Sequence, residues 1–134
     1  MSIILSPKLH EITSEGSEQG RVLMHWCPGC GCRHAFEIEK PNASGAVRSW
    51  NGSIEAPSFS PSMHITSSVP AVSGAELKAI LLRRQAGEQV EIPYHRITIC
   101  HYYLREGRIE FLSDSGHTLA GQSVDLPDIP EWVR

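Results

Sequence analysis

Apolar and polar residues along this chain alternate in short blocks, a pattern of strands rather than of long helices. Residues 21–26 (RVLMHW) form a mostly apolar run that enters a cysteine-rich turn, and residues 34–39 (HAFEIE) alternate apolar and polar positions. Together they predict a knuckle on a β-hairpin, with the cysteines at its tip. Residues 40–45 read as a loop broken by Pro41, Asn42 and Gly45, residues 47–50 as a short strand, and Asn51-Gly52 as a tight turn. In the next segment, 57–62 (PSFSPS), Pro57 and Pro61 forbid a helix and disfavour a central strand, so an extended edge or surface course is expected, with a strand resuming over 63–67.

A single helix is predicted over about 75–86: Ser73 stands three residues before Glu76, the capping-box spacing, Leu77, Ile80 and Leu81 share a face, and Gly87 supplies a stop. Residues 96–104 (RITICHYYL) are rich in β-branched and aromatic side chains and predict a strand. Glu106-Gly107 then turns the chain into a returning strand over 108–113, and the tail from 124 to 134 reads as an irregular strap. Residues 1–20 read as a short strand or arm followed by a polar loop. The expected fold class is α+β: mostly antiparallel β-sheet with a zinc-knuckle hairpin and one α-helix, in a single domain over 1–134 with 1–20 as an N-terminal arm.

The 134 residues fit one domain, and 40% hydrophobic content gives it a thin core that a metal cross-link would help. A net charge of -3 argues against general nucleic-acid binding. No apolar run approaches the ~20 residues that cross a bilayer. The N-terminus lacks the basic start and apolar stretch of a signal peptide, so a cytosolic setting is expected. There thiols stay reduced, and four cysteines, three of them within six residues, point to metal rather than disulfides.

Cys27-Pro28-Gly29-Cys30 offers two sulfurs on a turn, half of a tetrahedral zinc site. Downstream, Cys100, His101 and His117 can supply the rest. The first choice of ligands is Cys27, Cys30, Cys100 and His117; the alternates are His101 in place of Cys100, or a local closure with Cys32 or His34. Adjacent strand residues face opposite sides of a sheet, so only one of Cys100 and His101 should reach the ion. Asp114 is expected to cap the turn after a strand or to orient a ligand histidine. A thioredoxin-type reading needs the two cysteines at a helix start, which Gly31-Cys32-Arg33 does not provide.

Catalytic signatures are thin. Ser58, Ser60 and Ser62 lack a nucleophile-elbow context, so no serine nucleophile is expected, and no catalytic residue is assigned. Trp50 and Phe59 are expected to fill the core while Pro57 and Pro61 guard an edge; the competing reading is a groove for strand addition.

The combination CPGCGCRH, SWNGSIEAPSFSPSMHI and CHYYLREGRIEFLSDSGHTLAGQSVDLP resembles a family of small proteins from tailed bacteriophages and prophages, over roughly residues 22 to 128. Some members carry the label ammonia monooxygenase, which a chain without a membrane span does not support. The family pattern has a cysteine where this chain has Ser115, so no thiol ligand is available there. The resemblance implies a phage origin and a zinc site. The resulting expectation is a phage accessory protein of the host cytoplasm or the virion, which binds a host or phage protein. The alternative is a small zinc-dependent hydrolase with His101 or Asp114 as general base.

Overall fold

A computed structural model describes residues 2–13, 21–39, 41, 45 and 47–133. The expected polar loop after Thr13 and most of the 40–45 loop lie outside the described residues. The chain forms two antiparallel meanders. The first joins β1 (Ser2–Ser6), β2 (Leu9–Ile12), β3 (Val22–Cys27) and β4 (Cys32–Glu37) in sequence order. The second joins β5 (Ser49–Trp50), β6 (Phe59–Pro70), β7 (Tyr94–Arg105), β8 (Arg108–Phe111) and β9 (Ser123–Asp125), with α1 (Gly74–Gln85) linking β6 to β7. Among the described residues, mostly antiparallel sheet with one α-helix is therefore the fold class, as the alternation predicted.

The sheets share one core. On β3 the period of two turns Leu23, His25 and Cys27 to one face, all fully buried. On β7 the same rule buries Cys100, Tyr102 and Leu104. Between them Phe36 meets Phe59 edge to face at 4.5 Å, and Leu9, Ile109, Phe111 and Leu126 complete the cluster. Each large apolar side chain buried here contributes about 1.5–3 kcal/mol.

A polar bridge crosses the same core. The buried Tyr102 hydroxyl lies 2.6 Å from His25 Nε2 and 3.0 Å from His34 Nδ1, joining both strands of the knuckle hairpin to β7. Burial, which disfavours the charged imidazole, pushes both histidines down to about 4. They stay neutral at pH 7, so the tyrosine has partners without a buried charge.

In one respect the strands depart from expectation. Pro57 and Pro61 argued against a central strand, yet β6 runs unbroken through Pro61 between β5 and β7. The register explains it: Phe59 pairs with Leu104 and Met63 with Tyr102, so Ser60, Pro61 and Ser62 bulge opposite Tyr103 alone. A bulge does not need the ladder hydrogen bond that proline lacks.

The helix begins where predicted, with the Ser73 hydroxyl accepting from the Glu76 N–H at 3.1 Å. It ends in a Schellman pair: Gly87 N–H donates to Arg84 O and Glu88 N–H to Arg83 O. None of its residues is buried, and no helix among the described residues is long and apolar enough to cross a membrane. The tail does act as a strap. Leu126 N–H bonds Gly107 O on the second sheet, Ile129 N–H bonds Pro7 O on the first, and Trp132 packs on Trp26.

Candidate functional site

Two clusters of reactive side chains sit on opposite faces of β7, one residue apart. The inner one lies at the tip of the β3–β4 hairpin. Cys27 ends β3, and Gly31, at φ 66°, turns the chain with its N–H on Cys27 O. Cys30 lies on this turn, and its N–H points at Cys27 Sγ. Cys100 faces the same spot from β7, 4.0 Å from Cys27 Sγ, and His117 Nε2 lies 3.3 Å from Cys100 Sγ. One ligand atom from each of Cys27, Cys30, Cys100 and His117 falls within 4.8 Å of every other. Tetrahedral zinc with bonds of about 2.3 Å to sulfur sets thiolates roughly 3.8 Å apart, so the spacing suits a metal.

The approach of His117 depends on Gly29. A Cβ there would overlap the imidazole ring. Among themselves the thiols cannot all ionise. A hydrogen bond from Cys100 draws Cys27 down to about 6. Burial pushes Cys30 up to about 12, and donation to Cys27 together with burial drives Cys100 higher still. A cation between them would remove that conflict.

The alternates stand apart from this set. Cys32 is exposed; it groups with Cys30 and His34, but His34 Nδ1 is engaged by Tyr102. His101, the neighbour of Cys100, points to the outer face, as the pleat requires.

There it meets two other side chains. Ser62 Oγ lies 3.3 Å from His101 Nε2, and His101 Nδ1 lies 3.0 and 3.2 Å from the two Asp114 oxygens. Hydroxyl, imidazole and carboxylate form one hydrogen-bonded line, the order in which a nucleophile, a general base and its orienting acid are arranged. The hydrogen bond from His101 holds the exposed Asp114 carboxyl below its usual range, so it remains an anion facing the ring.

Each member is placed by backbone. The β6 bulge re-aims Ser62, and Arg48 Nη1 donates to Pro61 O at 2.8 Å within that bulge. Asp114 is brought to His101 by its neighbour: the buried Ser115 hydroxyl accepts from His101 N–H at 3.0 Å and donates to His101 O at 2.9 Å. A second bulge, on β7 at Ile99, leaves a carbonyl that accepts Gly116 N–H at 3.0 Å. A Cβ on Gly116 would stand 3.0 Å from Thr98 O, so this position favours glycine. Asp114 thus serves His101 rather than a ligand histidine, and Ser115 is a backbone staple.

The sequence did not disclose Ser62. Its context has no elbow, and its partners lie 39 and 52 positions downstream (62 to 101, then 13 more to 114). The one available signal was Pro61 inside an otherwise strand-like stretch, which marks a bulge.

Among curated proteins and among solved structures, nothing matches this chain. A family match covers residues 4–112, which span Ser62, His101 and three of the four inner ligand candidates. On that match, the chain belongs to the bacterial ubiquitination-like system serine protease (BubE) family.

Proposed function

We propose that this protein is a serine protease of a bacterial ubiquitination-like system, with Ser62 as nucleophile, His101 as general base and Asp114 as the group that orients and charge-balances the imidazole. The observation that carries the reading is the continuous Ser62–His101–Asp114 hydrogen-bonded line. In the first step Ser62 Oγ attacks the scissile carbonyl carbon while its proton passes to His101 Nε2. The imidazolium so formed is stabilised by Asp114 and gives the proton to the departing group, which leaves an acyl-serine. Water, deprotonated by the same nitrogen, then releases the acid and regenerates the hydroxyl.

The inner cluster has a different task in this reading. Cys27, Cys30, Cys100 and His117 hold one zinc ion that ties the knuckle hairpin of the first sheet to β7 and to the loop after β8. Support comes from the donor set, the 4.0 Å sulfur spacing and the glycine that makes room for His117. With four protein ligands the ion keeps no open position for water, which disfavours the zinc-hydrolase alternative. A binding-only role, as a phage accessory or virion protein, would leave the Ser62 line without a task.

A fluorophosphonate probe with peptide mapping tests the proposal. Labelling at Ser62 that is lost in His101→Ala supports it. A chain that stays unlabelled while folded and zinc-loaded overturns it and favours the binding-only role.

A further inference from the structure

His64 has no part in the triad, yet it belongs to the same surface. It stands directly opposite His101 in the β6–β7 register, and cross-strand neighbours bring their Cβ atoms to about 4.5–5.5 Å. The two imidazoles stack at 4.3 Å, and one ligand atom from each of His64, His101 and Asp114 lies within 4.8 Å of the others. Two imidazoles and a carboxylate form a donor set that zinc and similar divalent ions accept. His64 Nε2 lies 2.9 Å from Thr98 Oγ1. Metal-binding histidines hold their second ring nitrogen in this way, and it leaves Nδ1 for a ligand.

We infer that His64, His101 and Asp114 form a second, surface site for a divalent transition-metal ion, whose occupation switches off the Ser62–His101 pair. The inhibitory half rests on the protease reading; the binding half does not. Zinc bonds to nitrogen of about 2.0–2.1 Å set tetrahedral ligand atoms roughly 3.3 Å apart, so atoms now within 4.8 Å of one another need close in by at most about 1.5 Å. His64 and Asp114 are exposed, so solvent rather than packed core borders the side on which they would adjust. The consequence for catalysis does not depend on which nitrogen of His101 is used. An ion on Nε2 takes the lone pair that receives the Ser62 proton. An ion on Nδ1 leaves the proton on Nε2, which then donates but cannot accept. The remaining positions on the ion are open to water, so this site is weaker and more exchangeable than the four-ligand inner one.

The site can be tested on protein that carries one zinc per chain. Further zinc is titrated in by calorimetry, and the rate of fluorophosphonate labelling at Ser62 is followed in parallel. A second ion should bind, labelling should fall in step with its occupancy, and a mild chelator should restore it. In His64→Ala, and in His64→Gln as the conservative control, zinc binding at this site should weaken roughly tenfold or more, as ligand-sphere losses do. The zinc needed to halve each variant's own metal-free labelling rate should rise by the same factor. No second ion, or an unchanged second affinity in both variants, overturns the site. A second ion that leaves labelling unaffected overturns the inhibitory role. If Ser62 never labels, the protease reading fails, while the calorimetric arm still decides the site.

Discussion

Cys100 and His101 are consecutive residues of one strand that belong to different clusters on opposite faces. Cys100 is fully buried between the sheets, its thiol crowded by Cys27, Cys30 and His117 at a spacing that could hold an ion. His101 lies partly open to solvent on the far side, with Ser62 at one nitrogen and Asp114 at the other. The inner set lies between the two sheets and joins the β3–β4 turn to β7, so its proposed role is in folding. The outer set is small, accessible and directional, the properties that the proposed proton transfer needs. The pleat alone separates them, and substitutions at two neighbouring positions should therefore fail in unlike ways.

The largest expected effect falls on the inner face. Stripping the metal with a strong chelator, or replacing Cys100 or Cys27 by serine, should abolish the cooperative unfolding transition, because the binding energy of a structural zinc is folding energy. Calorimetry and near-ultraviolet circular dichroism read this. An apo-protein that melts as the zinc-loaded one does would reduce the inner site to a bystander. Next comes Ser62→Ala or His101→Ala, which should lower turnover about 10⁴-fold or more while metal content and melting temperature stay close to wild type. A His101→Ala chain that loses its zinc would break the separation of the two faces.

Smaller effects sharpen the picture. Gly29→Ala should push the His117 ring away and loosen the metal roughly 10–100-fold, the scale on which disturbed ligand placement acts, measured by competition with a chromophoric chelator. Full affinity there would mean that His117 is no ligand. Smallest is Tyr102→Phe, which leaves His25 and His34 without the hydroxyl between them and should cost about 1–3 kcal/mol in denaturant unfolding. An unchanged midpoint would show that the bridge is dispensable to the joining of the two sheets.

The convergence of the inner residues was legible in the sequence, and so were His101 and Asp114 as candidates, whereas Ser62 was not, for a physical reason. Thiols two apart on a Pro-Gly turn carry their geometry locally, and Cys100 and His117 were the natural completion because zinc chemistry restricts which residues can join. Ser73 and Gly87 announced the helix ends by equally local hydrogen bonding. Ser62 is an ordinary residue type whose role depends on where a bulge points it, and alternation cannot count the extra residues of a bulge in advance. The same blindness made Pro61 look like a strand breaker when it sits inside β6. Arg48 and Ser115, which bind backbone around Ser62 and His101, have no motif at all.

The Ile65–Cys100 and His64–His101 pairings of the β6–β7 ladder have a further consequence. A slide of β7 by one residue would turn every side chain over, exposing the thiol to water and driving an imidazole into the core. Both clusters would be lost together. The adjacency of the two residues thus acts as proofreading for strand alignment: a misthreaded chain would lose both the Cys100 corner of the inner cluster and the Ser62–His101 contact.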